Sequence, residues 1–417
     1  MSYYEIAGGR PLSGSLTVQG AKNSVLPVLA AVLLAPGESV IHNCPDLSDV
    51  SAALEILRLL GCRVRREGRT VTVDASAVTG DEIPERLMRE MRSSVIFLGA
   101  LLARVGRAKL FYPGGCNLGP RPIDLHLNAL RALGAEVAEE QGSLCCSAGK
   151  MEGRELCLSL PSVGATENSM LAACGCPGVT TIVGAAREPE IVDLQNMLRA
   201  MGADVRGAGS SVVTVWGGKP LHGAEYTVMG DRIAAATCLC AAGAAGGTVE
   251  IAGVDPTALT AVLTCLEEAG CAIHTGGQRI VLKSDGRLQG VRAVHTAPFP
   301  GFPTDAQPIL MAALAGGSGT TMFVENLFES RYHHVDELCR MGARIQVSGR
   351  VAVVTGAGRL HGAAVQGADL RGAAALVVAG LTADGVTRVS GLEYIQRGYE
   401  QLEQVLTGLG AEIKQIP

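Results

Sequence analysis

One cysteine is set apart by its surroundings. Cys116 lies in the middle of Tyr112-Pro113-Gly114-Gly115-Cys116-Asn117-Leu118-Gly119-Pro120-Arg121-Pro122, a stretch punctuated by glycine and proline in the manner of a mobile loop. A thiol there, five residues before Arg121 and the start of a helix, can have a depressed pKa and react as thiolate. The plainer reading is a loop cysteine that packs. The remaining twelve of the thirteen cysteines are scattered without any CxxC pair, showing only Cys145-Cys146 and the spacings Cys174/Cys176 and Cys238/Cys240. That pattern speaks against zinc ribbons and disulfide frameworks, and for small buried hydrophobes in a reducing compartment.

A second candidate is Asp305, delivered by Phe299-Pro300-Gly301-Phe302-Pro303-Thr304 to the front of the apolar run AQPILMAALAG. Aspartate at that place reads first as a helix N-cap. Facing a ligand instead, it can accept a proton from a substrate hydroxyl. The third feature is a set of cations at expected helix starts: Lys22, Arg92, Arg121, Arg371 and Arg397, with Arg331 and Arg232 placed alike. A cation opposes the helix dipole there, and a bound phosphate or carboxylate would reverse the sign by taking both the helix N–H groups and the arginine forks. Pairing with nearby acids, as in Asp231-Arg232 and Asp369-Arg371, is the alternative. No Walker or dinucleotide glycine loop is present, so an anion site would be built from side chains.

The elements that must position these residues recur six times. LRLLGCRV, LRALGAEV, LRAMGADV, LEEAGCAI, LCRMGARI and LTGLGAEI carry Gly61, Gly134, Gly202, Gly270, Gly342 and Gly410, in steps of 73, 68, 68, 72 and 68 residues. Upstream of each glycine stands an apolar helix opened by a polar residue, then a short strand, then a second helix expected to open at Asp46, Arg121, Glu188, Asp255, Arg331 and Arg397. Each unit reads helix, strand, helix, strand, strand. Solenoid repeats are typically 20–45 residues, shorter than these units, which argues against that architecture. The segments joining units are alike too, and the sixth lacks one; its counterpart is IAGGRPLSGSLTVQGAKN at the other end of the chain. The expected organisation is a continuous domain, residues 22–229, and a split one, residues 1–21 with 230–417, closed by the N-terminal strand. The cleft between them is the expected ligand site.

Bulk properties narrow the function. The 417 residues are 47% hydrophobic and 18% charged, enough apolar area to fold without disulfide or metal. A net charge of -5 speaks against broad nucleic-acid binding. The longest apolar run, residues 25–35, stops at Pro36-Gly37-Glu38, short of the roughly 20 residues a membrane span needs. A cytoplasmic protein without a membrane partner is expected.

GAKNSVLPVLAA, MRSSVIFLGALLAR, PGGCNLGPRPIDLH, PSVGATEN, AAREPEIVDL, FPTDAQP, the stretch through ESRYHH, DLRGAAALVVAG and YIQRGYE together resemble the UDP-N-acetylglucosamine 1-carboxyvinyltransferase family over essentially the whole chain. The resemblance implies the α/β enolpyruvyl transferase fold, an inside-out α/β barrel of two domains, each of three βαβαββ-type repeats, around a cleft. It implies transfer of the enolpyruvyl group of phosphoenolpyruvate to the 3-hydroxyl of UDP-N-acetylglucosamine, the committed step of peptidoglycan synthesis, with no metal or organic cofactor. Lys22, Arg121 and Arg397 match the family's phosphate contacts, Arg331 and Arg371 further ligands of that anion, and Asn23 stands beside them. Asn23, Arg92, Arg121, Pro122, Ile123, Asp124, Leu125, Ser162, Val163, Gly164 and Leu327 match positions that hold the sugar nucleotide. Asp305 matches the base that binds the sugar 3-hydroxyl, and Cys116 the general acid. Lys22 and Arg397 join these two as catalytic residues. Leu160-Pro161 stands where some members have Lys-Val, and Leu327 where Ile or Val is commoner. A sister transferase acting on shikimate 3-phosphate shares the repeat and the cation cradle but not the PGGC loop. A non-catalytic paralogue that binds the nucleotide sugar is a further alternative. Oligomeric state is left open, with a monomer compatible.

Overall fold

A computed structural model of the chain describes residues 2–112, 123–140 and 142–417, apart from the side chain of Arg92. Cys116, Arg121 and Pro122 lie outside the described residues. Among the described residues the chain divides into two compact units, one of residues 2–19 with 230–417, the other of residues up to 229 from Gly20.

Six helices form the interior of the two units, three in each: Lys22–Ala31, Phe97–Val105 and Val163–Gly175, then Arg232–Ala245, Gln307–Ala315 and Leu370–Thr382. The reason lies in composition. Runs such as IAAATCLCAAGA and GAAALVVAGL are apolar on every side, so no face of these helices is suited to water, and small residues let them pack closely. Every residue of Gln307–Ala315 is buried. Around each trio lie the amphipathic second helices, Ser48–Leu59, Asp124–Leu133 and Pro189–Ala200 in one unit, Thr260–Glu268, Val335–Arg340 and Leu402–Gly408 in the other. The glycine that marks each repeat follows these helices with φ between 91° and 107°, a left-handed conformation that a side chain would strain.

Six four-stranded sheets cover the helices, and all have one plan: three antiparallel strands and a parallel strand at one edge. In the second, third, fifth and sixth repeats that edge strand comes from the segment entering the repeat. Glu82–Ile83 joins Arg107–Phe111, and Glu155–Cys157 joins Gly178–Val183. The third linking strand, Glu225–Thr227, returns to the first repeat at Glu38–His42, so the three repeats of that unit close into a ring. The other unit closes in the same way. Ala293–His295 joins Thr320–Val324, Ala364–Gln366 joins Val386–Ser390, and Leu12–Thr17 joins Gly247–Ala252. The sixth sheet takes its third antiparallel strand from Tyr3–Ala7, which lies between Val386–Ser390 and Glu412–Ile416 with Tyr3 opposite both Ser390 and Ile416.

Three expected helix starts are corrected. Arg92 opens a 3-10 turn, Arg92–Ile96, and the helix itself begins at Phe97. Arg331 precedes its helix, which begins at Val335, because its guanidinium turns inward to the carbonyl of Thr304. Arg397 lies in the turn between Leu392–Ile395 and Leu402–Gly408.

Candidate active site

In the unit beginning at Gly20, Lys22 is the first residue of its helix, and its Nζ lies 2.9 Å from Asp49 Oδ2, on the helix Ser48–Leu59. The cation opposing the helix dipole thus has a protein carboxylate beside it. Asn23, next along, is half-buried. Ser24 faces inward and donates to Asp193, which also accepts from the Tyr226 hydroxyl at 2.6 Å and the Met229 N–H at 3.3 Å. Burial pushes the Asp193 carboxyl up from the usual carboxylate range, and these three hydrogen bonds work against that shift. The first helix is therefore anchored immediately beyond Lys22 and Asn23.

Ser162 caps the helix Val163–Gly175, its Oγ accepting from Ala165 N–H at 3.3 Å. Gly164 is in the first turn, where a Cβ would lie 2.9 Å from His126 Cε1; any side chain there must displace the ring. Ile123 is buried, Leu125 half-buried and Asp124 exposed at the start of the helix carrying His126. Asn168 ties these parts together. Its Nδ2 donates to Val95 O at 2.8 Å and meets His126 Nδ1 at 2.9 Å, while its Oδ1 accepts from Gly99 N–H at 2.6 Å. Leu160 is 65% exposed.

In the other unit a carboxylate and two arginines from two successive repeats converge. Asp305 is not a helix cap: the residue in that place is Ala306, which makes no side-chain cap bond. Instead Asp305 Oδ1 accepts from Arg331 Nη2 at 2.9 Å, and Oδ2 accepts from Arg371 Nε at 3.2 Å and Nη2 at 2.9 Å. Arg331 also donates from Nε and Nη2 to Thr304 O, at 3.2 and 2.9 Å. Both arginine side chains are at most 3% exposed, whereas that of Asp305 is 26% exposed, so the carboxylate is the accessible part of the cluster. Burying a guanidinium is costly unless it is paired and hydrogen-bonded, and Asp305 meets that need for both. Burial works against the charge of Arg371, but Asp305, Tyr399 and Asp231 outweigh it and hold the group protonated. Tyr399 contributes its ring face, 5.3 Å from the Arg371 guanidinium, and its hydroxyl pairs with Thr237 Oγ1 at 2.9 Å.

The sequence pairing Asp369-Arg371 is thereby corrected. Asp369 Oδ1 caps the backbone, accepting from the N–H groups of Arg371 and Gly372, and the Arg371 side chain goes to Asp305. Asp231 caps its helix likewise through Ile233 and Ala234. Arg232 is buried, 5.8 Å over the Phe299 ring. Leu327 is 40% exposed, and its N–H donates to Glu325 Oε1 at 2.9 Å. Arg397 is half-buried. Sequence reasoning missed Asp49 and Tyr399, which partner the candidates Lys22 and Arg371, and Asp193 and Asn168, which hold neighbours of candidates; all four come from other elements, and no local spacing marks them. Among the described residues no group of three or more histidines, cysteines, aspartates and glutamates could hold a metal ion. No helix among them is long and apolar enough to cross a membrane.

Two buried imidazoles give the protein an acid sensitivity. Burial lowers His126 to about 4 against the pull of Asp124, and lowers His334 to about 4, with Arg331 acting in the same direction and Asp369 against it. Unfolding returns both to the ordinary range, so between about pH 4 and 6.5 the unfolded chain binds more protons. Their contribution is full above that window and is lost as the pH falls through it, about 2 kcal/mol per group between pH 7 and pH 5. Urea unfolding of His126→Gln should show a slope against pH in this window reduced by about one proton. A slope equal to that of the parent protein would contradict the assignment.

Two three-repeat rings with a carboxylate held by buried arginines define an enolpyruvyl transferase architecture. The solved structure of the enolpyruvyl transferase NikO from Streptomyces tendae matches with a TM-score of 0.89 and 28% identity, over all of this chain and 99% of that one. The chain belongs to the EPSP synthase (3-phosphoshikimate 1-carboxyvinyltransferase) family, whose model matches residues 6–406. It is 48% identical to UDP-N-acetylglucosamine 1-carboxyvinyltransferase 2 of Caldanaerobacter subterraneus subsp. tengcongensis, over the full length of both. It is also 48% identical to UDP-N-acetylglucosamine 1-carboxyvinyltransferase 1 of Symbiobacterium thermophilum, over 99% of this chain and 95% of that protein.

Proposed function

We infer that the chain transfers the enolpyruvyl group of phosphoenolpyruvate to the 3-hydroxyl of UDP-N-acetylglucosamine with release of phosphate. The observation that carries this reading is the full-length similarity to proteins of that name, at nearly half of all positions. In the proposed reaction the sugar hydroxyl gives its proton to Asp305 as its oxygen bonds to C2 of phosphoenolpyruvate, and Cys116 protonates C3. The tetrahedral ketal then loses phosphate together with a C3 proton and leaves a vinyl ether. Lys22, Arg121 and Arg397 are assigned to the phosphate, Arg331 and Arg371 to the same substrate's anionic groups. Their grip on Asp305 supports the assignment of that residue: Arg331 Nη2 holds one carboxylate oxygen, Nε and Nη2 of Arg371 hold the other, and the carboxylate is the exposed member.

The sugar nucleotide is assigned to Asn23, Arg92, Arg121, Pro122, Ile123, Asp124, Leu125, Ser162, Val163, Gly164, Asp305 and Leu327. With Leu160-Pro161 in place of Lys-Val, no lysine assists the diphosphate there. On this reading the reaction is cytoplasmic, at the entry to peptidoglycan synthesis. Phosphate release on mixing the protein with phosphoenolpyruvate and UDP-N-acetylglucosamine is the expected result. Release with phosphoenolpyruvate only when shikimate 3-phosphate is the acceptor would assign it to the sister activity, and no release with either acceptor would make it a binding protein.

A further inference from the structure

The segment that carries Arg397 has no strand partner, yet it is held closely. Residues 396–401 connect the short helix Leu392–Ile395 to Leu402–Gly408, and Gln401 takes a positive φ of 47° there, a conformation costly for a residue with a side chain. A Cβ on Gly398 would lie 2.8 Å from Leu370 Cδ2, so Arg397 is followed by backbone that fits against the neighbouring helix without room to spare. Local turns close Arg397 N–H onto Tyr394 O and Gly398 N–H onto Ile395 O, and a further restraint, beyond Arg397, comes from far away in sequence. Gln19 Nε2 donates to Gly398 O at 3.0 Å, and Gln19 Oε1 accepts from Glu400 N–H at 2.7 Å.

One side-chain amide thus takes the place of a neighbouring strand, with its donor and its acceptor both satisfied by the backbone on either side of Tyr399. The two partners fix which end of the amide is oxygen, since only a carbonyl accepts from Glu400 and only an amino group donates to Gly398. Gln19 is 8% exposed and is itself fixed through its own carbonyl, which accepts from Asp231 N–H at 2.8 Å. It is also the last residue of its unit before the chain passes at Gly20 to the other. Glutamine alone suits this position: asparagine is one methylene short, glutamate offers no donor, and methionine of similar length offers neither partner.

We propose that Gln19 is a positioning residue for Arg397, setting the backbone from which that cation reaches phosphoenolpyruvate. This rests on the assignment of Arg397 to the phosphate, and the test separates the two. In Gln19→Met the KM for phosphoenolpyruvate should rise about tenfold, the scale expected when a binding group is displaced by a fraction of an ångström. The KM for UDP-N-acetylglucosamine should stay within about twofold, and Glu400 N–H should exchange with solvent faster. Gln19→Asn, which keeps both groups but is one methylene short of its partners, should raise the KM for phosphoenolpyruvate less than methionine does and serves if the methionine variant does not fold. In an Arg397→Ala background the Gln19 substitution should add less than about twofold, because displacing an absent side chain costs nothing further.

An unchanged KM for phosphoenolpyruvate in Gln19→Met, alongside a raised one in Arg397→Ala, overturns the proposal and leaves the Arg397 assignment standing. Unchanged kinetics in Arg397→Ala overturns that assignment instead. Equal losses for both substrates reduce Gln19 to a structural residue and overturn the positioning role. Unchanged exchange at Glu400 overturns the clamp itself.

Discussion

Asp305→Asn should lose 10²- to 10⁴-fold in kcat, about the contribution of a positioned general base, while still binding UDP-N-acetylglucosamine. The amide is the same size and can still accept one arginine hydrogen bond, so the sugar contacts are expected to survive. What it cannot do is take a proton or balance two guanidinium charges. Arg331 and Arg371 are almost wholly buried, and both direct their forks at this carboxylate. Removing one partner of a buried ion pair typically costs about 3–5 kcal/mol; here the cost should be smaller, since the Asp305 side chain is 26% exposed and water can reach the site. A lowered melting temperature should therefore accompany the loss of turnover. The two effects separate by measurement: phosphate release reports the base, and calorimetric titration with UDP-N-acetylglucosamine reports whether the folded site persists. A kcat within about twofold of the parent value would remove Asp305 as the base, whatever its effect on stability.

The second large effect concerns Cys116. An epoxide analogue of phosphoenolpyruvate is expected to add once per chain at pH 7, with the adduct absent from Cys116→Ser, and that variant should have little steady-state turnover. The structure bears on this through the other thiols. Burial pushes Cys62, Cys146, Cys176, Cys265 and Cys271 up to about 11 and Cys174 and Cys238 up to about 12, with Cys240 higher still. None of these supplies useful thiolate at neutral pH. The exposed competitors are Cys157 and Cys339, and Cys157 lies in the short strand Glu155–Cys157, not in a glycine-rich loop beside an arginine. Intact-mass spectrometry and peptide mapping decide the matter. An adduct on Cys157 or Cys339 in place of Cys116, or none at all, would refute the reactive-thiol assignment.

The repeat was legible in the sequence because each part of it is a local necessity. A glycine that must adopt positive φ cannot drift, and a helix that is apolar all round announces its burial in a dozen consecutive residues. The carboxylate–arginine cluster was not legible. Arg331 and Arg371 follow Asp305 by 26 and 66 residues, and only the folding of one repeat and its packing against the next brings the three together. Read locally, Asp305 had the look of a cap and Arg331 that of a helix start; the structure gives both side chains to each other. The exchange of edge strands was equally hidden. Strands of two or three residues, such as Glu82–Ile83 and Glu225–Thr227, carry too little alternation to reveal which sheet they enter. Lys22, by contrast, was legible as a helix-opening cation, although its partner Asp49 was not.

The strands Tyr3–Ala7 and Leu12–Thr17 have a consequence for the order in which the molecule can be made. They are made before their partners, which are at Gly247–Ala252, Val386–Ser390 and Glu412–Ile416. The unit spanning Gly20 to Met229 has all its sheet partners within itself and can complete its ring while synthesis continues. The other unit must keep Leu12–Thr17 unpaired until Gly247–Ala252 is made and Tyr3–Ala7 until Val386–Ser390 is made, with exposed edges that invite wrong partners, and it closes only when Glu412–Ile416 joins. An alteration near residue 5 is therefore, in folding terms, an alteration of the last step.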